Sequence, residues 1–214
     1  MTDYRKFRFS KLNTPEFEHL KLVIFWPIFG LVFMVQERFL NLDYHVMHCA
    51  LDDKIPFCEW FLIPYLFWFV FLVGMHIYLL LFDTKTFKKF MWFIIITYSI
   101  TAVIYFVYPS MQELRPSEFA RDNLLVRFMK RFYTFDTNTN VCPSLHVVGA
   151  VAVLAGAWNT KRFRTPAWRT AFNLITVLIS ISTVFLKQHS CLDILPALLI
   201  CAVVYPISFH VIRT

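Results

Sequence analysis

The sequence predicts an all-α, polytopic membrane bundle of six helices, and three observations carry that prediction. Hydrophobic residues make up 58% of the chain and charged residues only 16%, with mean hydropathy +0.56. That is more apolar surface than a soluble globule of 214 residues can hide. Six uncharged runs approach the roughly 20 residues that cross a hydrocarbon core about 30 Å thick. Each run is apolar around its whole circumference and not striped. Four glycines and no low-complexity tract exclude a linker-rich, collagenous or disordered chain, and residues 1–214 are expected to form one membrane-embedded domain.

The first run, Leu20–Gln36, is the shortest, with Lys21 at its start and Glu37 at its end. It lacks a small-residue cleavage site and is expected to be retained. Trp60–Phe82 and Phe90–Tyr108 follow, and then a long connection over residues 109–140. Within that connection, Glu118–Tyr133 places Phe119, Leu125, Phe128, Met129 and Phe132 at helical spacing, with Arg127, Lys130 and Arg131 on another face. This predicts a helix lying in the membrane interface, a solvated surface helix being the plainer alternative. The last three runs are Val141–Trp158, Thr170–Leu186 and Ile194–Ile212, the final pair joined by a tight turn over Lys187–Asp193.

Lysine and arginine set the expected orientation. Arg5, Lys6, Arg8, Lys11, Lys85, Lys88, Lys89, Lys161, Arg162, Arg164, Arg169 and Arg213 fall on one side, which is expected to be cytoplasmic with both termini. The net charge of +7 is read as a topology signal and as contact with anionic head groups, so nucleic acid is set aside. Five cysteines show no metal-ligand spacing and are expected to be free thiols, a Cys49–Cys58 bridge being the one alternative.

Three polar clusters sit at helix ends that alternation brings to the outer side. They are Arg115-Pro116 after the third helix, Pro143-Ser144-Leu145-His146 at the start of the fourth, and Lys187-Gln188-His189 with Asp193 between the fifth and sixth. Ionisable residues at membrane depth are costly and usually functional. His189 and Asp193 stand four apart, so a helix continuing from the turn would put both on one face. There the carboxylate would hold the imidazole N–H and leave the other nitrogen basic. His146 lies at a helix start whose free N–H groups favour an anion. Arg115 and Lys187 add cations suited to phosphate. A His-x-x-x-Asp pair alone also serves as a buried structural pair, and Arg-Pro alone says little. The order, spacing and common side of the three clusters favour a phosphate site. His19, His45, His48, His76 and His210 lack such partners in sequence and read as interfacial or packing residues.

On these motifs the sequence resembles the type 2 phosphatidic-acid phosphatase superfamily of lipid-phosphate phosphatases and lipid phosphotransferases, which share a core with vanadium haloperoxidases. Residues Tyr108 to Pro116, Pro143 to His146 and Ser182 to Asp193 align with its three motifs. The resemblance implies a haloperoxidase-like helical core, with His189 as nucleophile, Asp193 orienting it and His146 as general acid. It implies that Arg115, Ser144 and Lys187 bind phosphoryl oxygens, with Pro116 and Tyr108 beside them. Tyr108 stands where the family usually has lysine and Thr183 where it usually has arginine, a pattern similar to inositol phosphorylceramide synthase-like proteins. No metal or cofactor is implied, since histidine supplies the nucleophile and cations and dipoles the electrostatics.

The expectation is an integral-membrane lipid-phosphate phosphatase of the plasma or inner membrane, its site on the outer face, acting on an anionic lipid phosphate. The nearest alternative moves a phospho-head group from a glycerophospholipid to a lipid alcohol such as ceramide or diacylglycerol. A non-catalytic lipid-binding relative is a third reading. A transporter, with His189 and Asp193 relaying protons, is disfavoured because no inverted repeat is visible.

Overall fold

A computed structural model describes residues 2–40 and 42–212; Arg213, assigned above to the cytoplasmic side, lies outside them. The chain is all-α and polytopic, with eight α-helices among the described residues and one two-stranded ribbon. The helices are α1 (Phe25–Arg38), α2 (Ala50–Lys54), α3 (Leu62–Phe82), α4 (Thr84–Val107), α5 (Leu124–Phe135), α6 (Leu145–Asn159), α7 (Pro166–Phe185) and α8 (Ile194–Pro206). Short 3-10 or π turns extend α1, α3 and α8, so that five helical segments are long and apolar enough to cross a membrane: Glu18–Arg38, Glu59–Phe82, Thr84–Val107, Pro166–Phe185 and Cys191–Val211.

The fourth expected span is shorter than its apolar run. It begins at Leu145, because Pro143 and Ser144 precede its first turn, and ends at Asn159. At 1.5 Å per residue its 15 residues cover about 22 Å, short of a hydrocarbon core. The reason is its position. Packed against α3, α4, α7 and α8, with small residues such as Ala150, Ala152 and Gly156 inside the core, α6 buries most of its surface in protein, Trp158 near its end being exposed, and has less need to match lipid. Gly149 sets the closest approach, since a Cβ there would lie 2.8 Å from both the Trp68 indole nitrogen and the Tyr98 hydroxyl. The surrounding helices turn Ile28, Leu31, Ile63, Val70, Val103 and Val203 outward, where they are exposed, as lipid-facing residues are.

The predicted helix over Glu118–Tyr133 is displaced. The Asn123 side chain accepts from the Val126 N–H and starts the helix there, so α5 runs Leu124–Phe135. Val126 and Met129 are buried, and Met129 packs with Leu62, Tyr65 and Leu186, while Arg127, Lys130 and Arg131 are exposed. The long connection is pinned by the ribbon, in which β1 (His45–Val46) pairs in parallel with β2 (Ser110–Met111). Met111 also bridges Thr139, and the Asn140 N–H donates to the Ser110 carbonyl at 2.6 Å. All five cysteines are free.

Candidate active site

One end of the bundle encloses a cavity of about 240 Å³ between α1, α3, α4, α6 and the turns before α6 and α8. His146 and His189 both line it, their ring centroids 6.0 Å apart. His146 sits in the first turn of α6, clasped between the rings of Tyr65 at 4.4 Å and Trp68 at 4.5 Å. Its Nε2 is buried with no partner in the protein. His189 Nδ1 lies 3.0 Å from Asp193 Oδ2, leaving Nε2 as its free ring nitrogen.

The His189–Asp193 pair forms differently from the expected helical face. Helix α7 ends at Phe185, Lys187 turns the chain with a φ of 54° in the left-handed region, and the N–H groups of Gln188 and His189 both donate to the Thr183 carbonyl. Asp193 then closes a capping box, accepting the Ser190 N–H at 3.0 Å on the same Oδ2 that holds His189. A capping carboxylate is fixed by the backbone it caps, so the imidazole inherits a rigid partner. Asp193 also joins the two motifs, since its carbonyl accepts the Ser144 N–H at 3.1 Å.

The remaining expected site residues stand around the cavity and do not line it. Arg115 donates to the carbonyls of Tyr133, Asp136 and Thr137 and to Gln188 Oε1, at 2.7–3.0 Å. Burial lowers its guanidinium from the ordinary value, against the pull of the Asp136 carboxylate. Lys187 is buried and donates to the Asp52 carbonyl at 2.6 Å. The Ser144 hydroxyl is fully buried and unpartnered at the start of α6. Tyr108 is exposed and stacks on His45 at 4.2 Å, and Pro116 is half-buried. Thr183, where the resemblance expects arginine, spends its hydroxyl on the Ser180 carbonyl.

Several residues of the site had not been singled out in the sequence. Asp52 is wholly buried and accepts from Ser190 Oγ at 2.5 Å and from the Cys191 and Cys49 N–H groups, tying α2 to the turn that carries His189. Cys49, Asp52 and Cys191 present three ligand atoms within 4.8 Å of one another, but both Asp52 oxygens already accept hydrogen bonds and the group lies outside the cavity. Glu37, Asp136 and Asn140 do line the cavity. Thr137 donates to Glu37 at 2.6 Å and Gln188 to Asp136 at 2.9 Å. Burial holds the Asp136 carboxyl above its ordinary value, opposed by Arg115. Asn140 has φ of 54° and leaves both polar atoms of its amide buried without partners. The polar run Asp136-Thr-Asn-Thr-Asn140, two residues ahead of Pro143-Ser144, was the signal for this wall. His48, expected to lack a partner, lies 2.8 Å from Asp53 on the exposed surface.

Among the described residues, no lysine or arginine lines the cavity. Its polar groups without protein partners are the Trp68 indole N–H, the Tyr98 hydroxyl, the Asn140 amide and His146 Nε2. Buried polar atoms are rarely left unpaired, so the arrangement suits a ligand that accepts hydrogen bonds from neutral donors beside two histidines. The family model described as PAP2 superfamily matches residues 89–214, more than half of the chain. No curated protein and no solved structure matches the chain.

Proposed function

The chain belongs to the PAP2 superfamily, and from that premise we propose that it cleaves a phosphoester of a membrane lipid at the cavity shared by His146 and His189. Members of the superfamily are phosphoric-ester hydrolases or phosphotransferases, and a multi-pass protein meets such a substrate in the bilayer. The observation that carries the reading is the 3.0 Å contact of His189 Nδ1 with a capping carboxylate, with His146 facing the same cavity.

His189 Nε2 attacks phosphorus, and the bond from phosphorus to the lipid alkoxide breaks. The leaving oxygen keeps the electron pair and takes a proton from His146 Nε2. The phosphohistidine is then attacked by water or by an acceptor alcohol, whose proton passes to His146. Arg115, Lys187 and Ser144 support the walls: Arg115 pins the segment carrying Asp136 and Asn140, Lys187 pins α2, and Ser144 couples α6 to Asp193. The charge bias of the sequence supports a site on the outer face of a plasma membrane with both termini cytoplasmic.

Hydrolysis is the first reading. Transfer to a lipid alcohol is favoured by one observation, the apolar part of the wall formed by Trp26, Phe29, Phe33 and Leu145, which suits an acceptor that carries hydrocarbon. The test is turnover in mixed micelles of phosphatidic acid, phosphatidylglycerol phosphate and isoprenyl pyrophosphate, with EDTA present. Phosphate release that His189→Ala abolishes supports hydrolysis. Release only when a lipid alcohol is added supports transfer, and turnover retained in His189→Ala rejects the nucleophile.

A further inference from the structure

A single carboxylate joins the turn that carries His189 to α2. Asp52 Oδ2 accepts the Cys49 N–H at 2.9 Å, and Oδ1 accepts the Cys191 N–H at 2.8 Å. One planar group therefore clamps two backbone segments that are distant in sequence, and each clamped residue is a cysteine. Their sulfurs lie within 4.8 Å of one another. A disulfide needs Cα atoms about 4.4–6.8 Å apart and sulfurs about 2.05 Å apart. Backbone placement is the demanding part, and the carboxylate supplies it; rotation of the two side chains between staggered positions closes the remaining gap. Asp52 is already spent on the two N–H groups and on the Ser190 hydroxyl, which leaves the thiols to each other and not to a shared cation. Among the other cysteines, Cys142 and Cys201 are buried. Cys58 is half-buried, but its N–H donates to the Phe185 carbonyl at 3.0 Å and its sulfur falls outside the group, so the partner that the sequence suggested for Cys49 is replaced by Cys191.

We propose that Cys49 and Cys191 are an oxidisable pair, which a disulfide donor of an oxidising compartment converts to a bridge that locks α2 onto the His189 turn. Both thiols are half-buried, and both lie at the histidine end, the end read above as facing outward, where disulfides persist. The proposal rests on that placement and not on the chemistry of His189. Cys49 opens α2, whose Ala50, Leu51 and Asp53 are exposed, and is the thiol a reagent meets first. Its thiolate attacks one sulfur of the donor RS–SR and expels one RS⁻. The Cys191 thiolate then attacks Cys49 Sγ in the mixed disulfide and expels the second RS⁻. The two cysteines give up two electrons and two protons, and the donor leaves as two RSH. In the reduced protein α2 is held to the turn by hydrogen bonds alone; the bridge makes that tie covalent.

Peptide mapping without reduction tests the proposal. Sealed cells expressing the full chain are treated with oxidised glutathione, a disulfide donor that does not cross the membrane. Free thiols are then blocked with maleimide and the peptides are weighed by mass spectrometry. The expected product is one linked pair joining Cys49 to Cys191, lighter than the two reduced peptides by two hydrogens. Cys49→Ser should abolish it, with Cys191→Ser as the second variant should the first fail to fold, and Cys58→Ser should keep it. In maltoside micelles the oxidised protein should melt roughly 5 °C above the reduced protein, a difference that Cys49→Ser removes. A Cys49–Cys58 link overturns the pairing, as do glutathione adducts with no link. Thiols that a chelator, and not a reductant, releases to maleimide would put a metal there and overturn the bridge. A link with no change in melting overturns the locking of α2. A link that forms only after the cells are permeabilised rejects the outward placement on which the proposal stands, whereas loss of turnover bears on the histidines alone.

Discussion

The two ends of the bundle treat charge in opposite ways. Where α4 begins and α6 ends, a cavity of about 490 Å³ is lined by Lys85, Lys89, Lys161, Arg162 and Arg164. Its one carboxylate, Asp83, is engaged by the Thr86 and Thr160 hydroxyls, both at 2.8 Å. Where α4 ends and α6 begins, the smaller cavity holds two histidines, two carboxylates and, among the described residues, no lysine or arginine. Positive charge therefore lines the first cavity and is kept out of the wall of the second, where Arg115 and Lys187 donate to carbonyls instead. At the histidine end, neutral donors and aromatic faces take the place of cations.

The sharpest way to break this contrast is at the histidines. His189→Ala and His146→Ala should each lower turnover by about a thousandfold or more while the protein stays folded in detergent, as activity assay and circular dichroism would read. Next comes the buried support. Asp52→Ala strips the acceptor from three donors and should destabilise the fold on the order of 3 kcal/mol, measured by denaturant unfolding in micelles.

Acid titration sharpens the contrast further, because two carboxyls of the histidine end shift in opposite senses. Burial alone would raise Asp52, but donation from Ser190 and the Cys191 and Cys49 N–H groups brings it below its ordinary value. Its contribution to stability is in place above the carboxylate range and is lost as pH falls through it. Asp136, held high by burial, contributes fully at low pH, and that contribution is lost as pH rises through its folded value. Unfolding followed against pH should therefore show a weaker acid-side loss in Asp52→Asn, and in Asp136→Asn a gain relative to wild type as pH rises. The smallest effect belongs to the basic end: Lys85→Ala with Lys161→Ala should change turnover in detergent by no more than about twofold. A larger drop would tie that end to the reaction.

Much of this architecture was legible in the sequence, because hydrophobic length reports lipid contact directly. The five long segments and the three polar clusters at one end follow from it. Helix starts were less legible: α5 begins at Leu124 because Asn123 caps it, and α6 at Leu145 because Pro143-Ser144 cannot be helix interior, local effects that apolar runs do not record. Within the candidate site, spacing singled out His146, His189 and Asp193, and the structure brings the three together at one end of the bundle. Arg115 and Lys187 were read as ligands of phosphate, yet their partners in the structure are carbonyls far along the chain. Only three-dimensional placement shows that. Glu37 and Asn140 escaped notice for the same reason, since each acquires meaning only when α1 and the turn before α6 meet around one cavity.

The enclosure of α6 has a consequence for where such a protein can work. A bilayer thicker or thinner than the outer helices prefer is accommodated by their tilt and by local deformation of the lipid. Hydrophobic mismatch therefore falls on α1, α3 and α7, whose apolar flanks face outward. The His146 helix, largely enclosed by protein through its first turns and tied by one backbone hydrogen bond to Asp193, carries less of that mismatch than they do. The spacing of the two histidines is accordingly a property of the protein interior, portable between membranes of different lipid chain length.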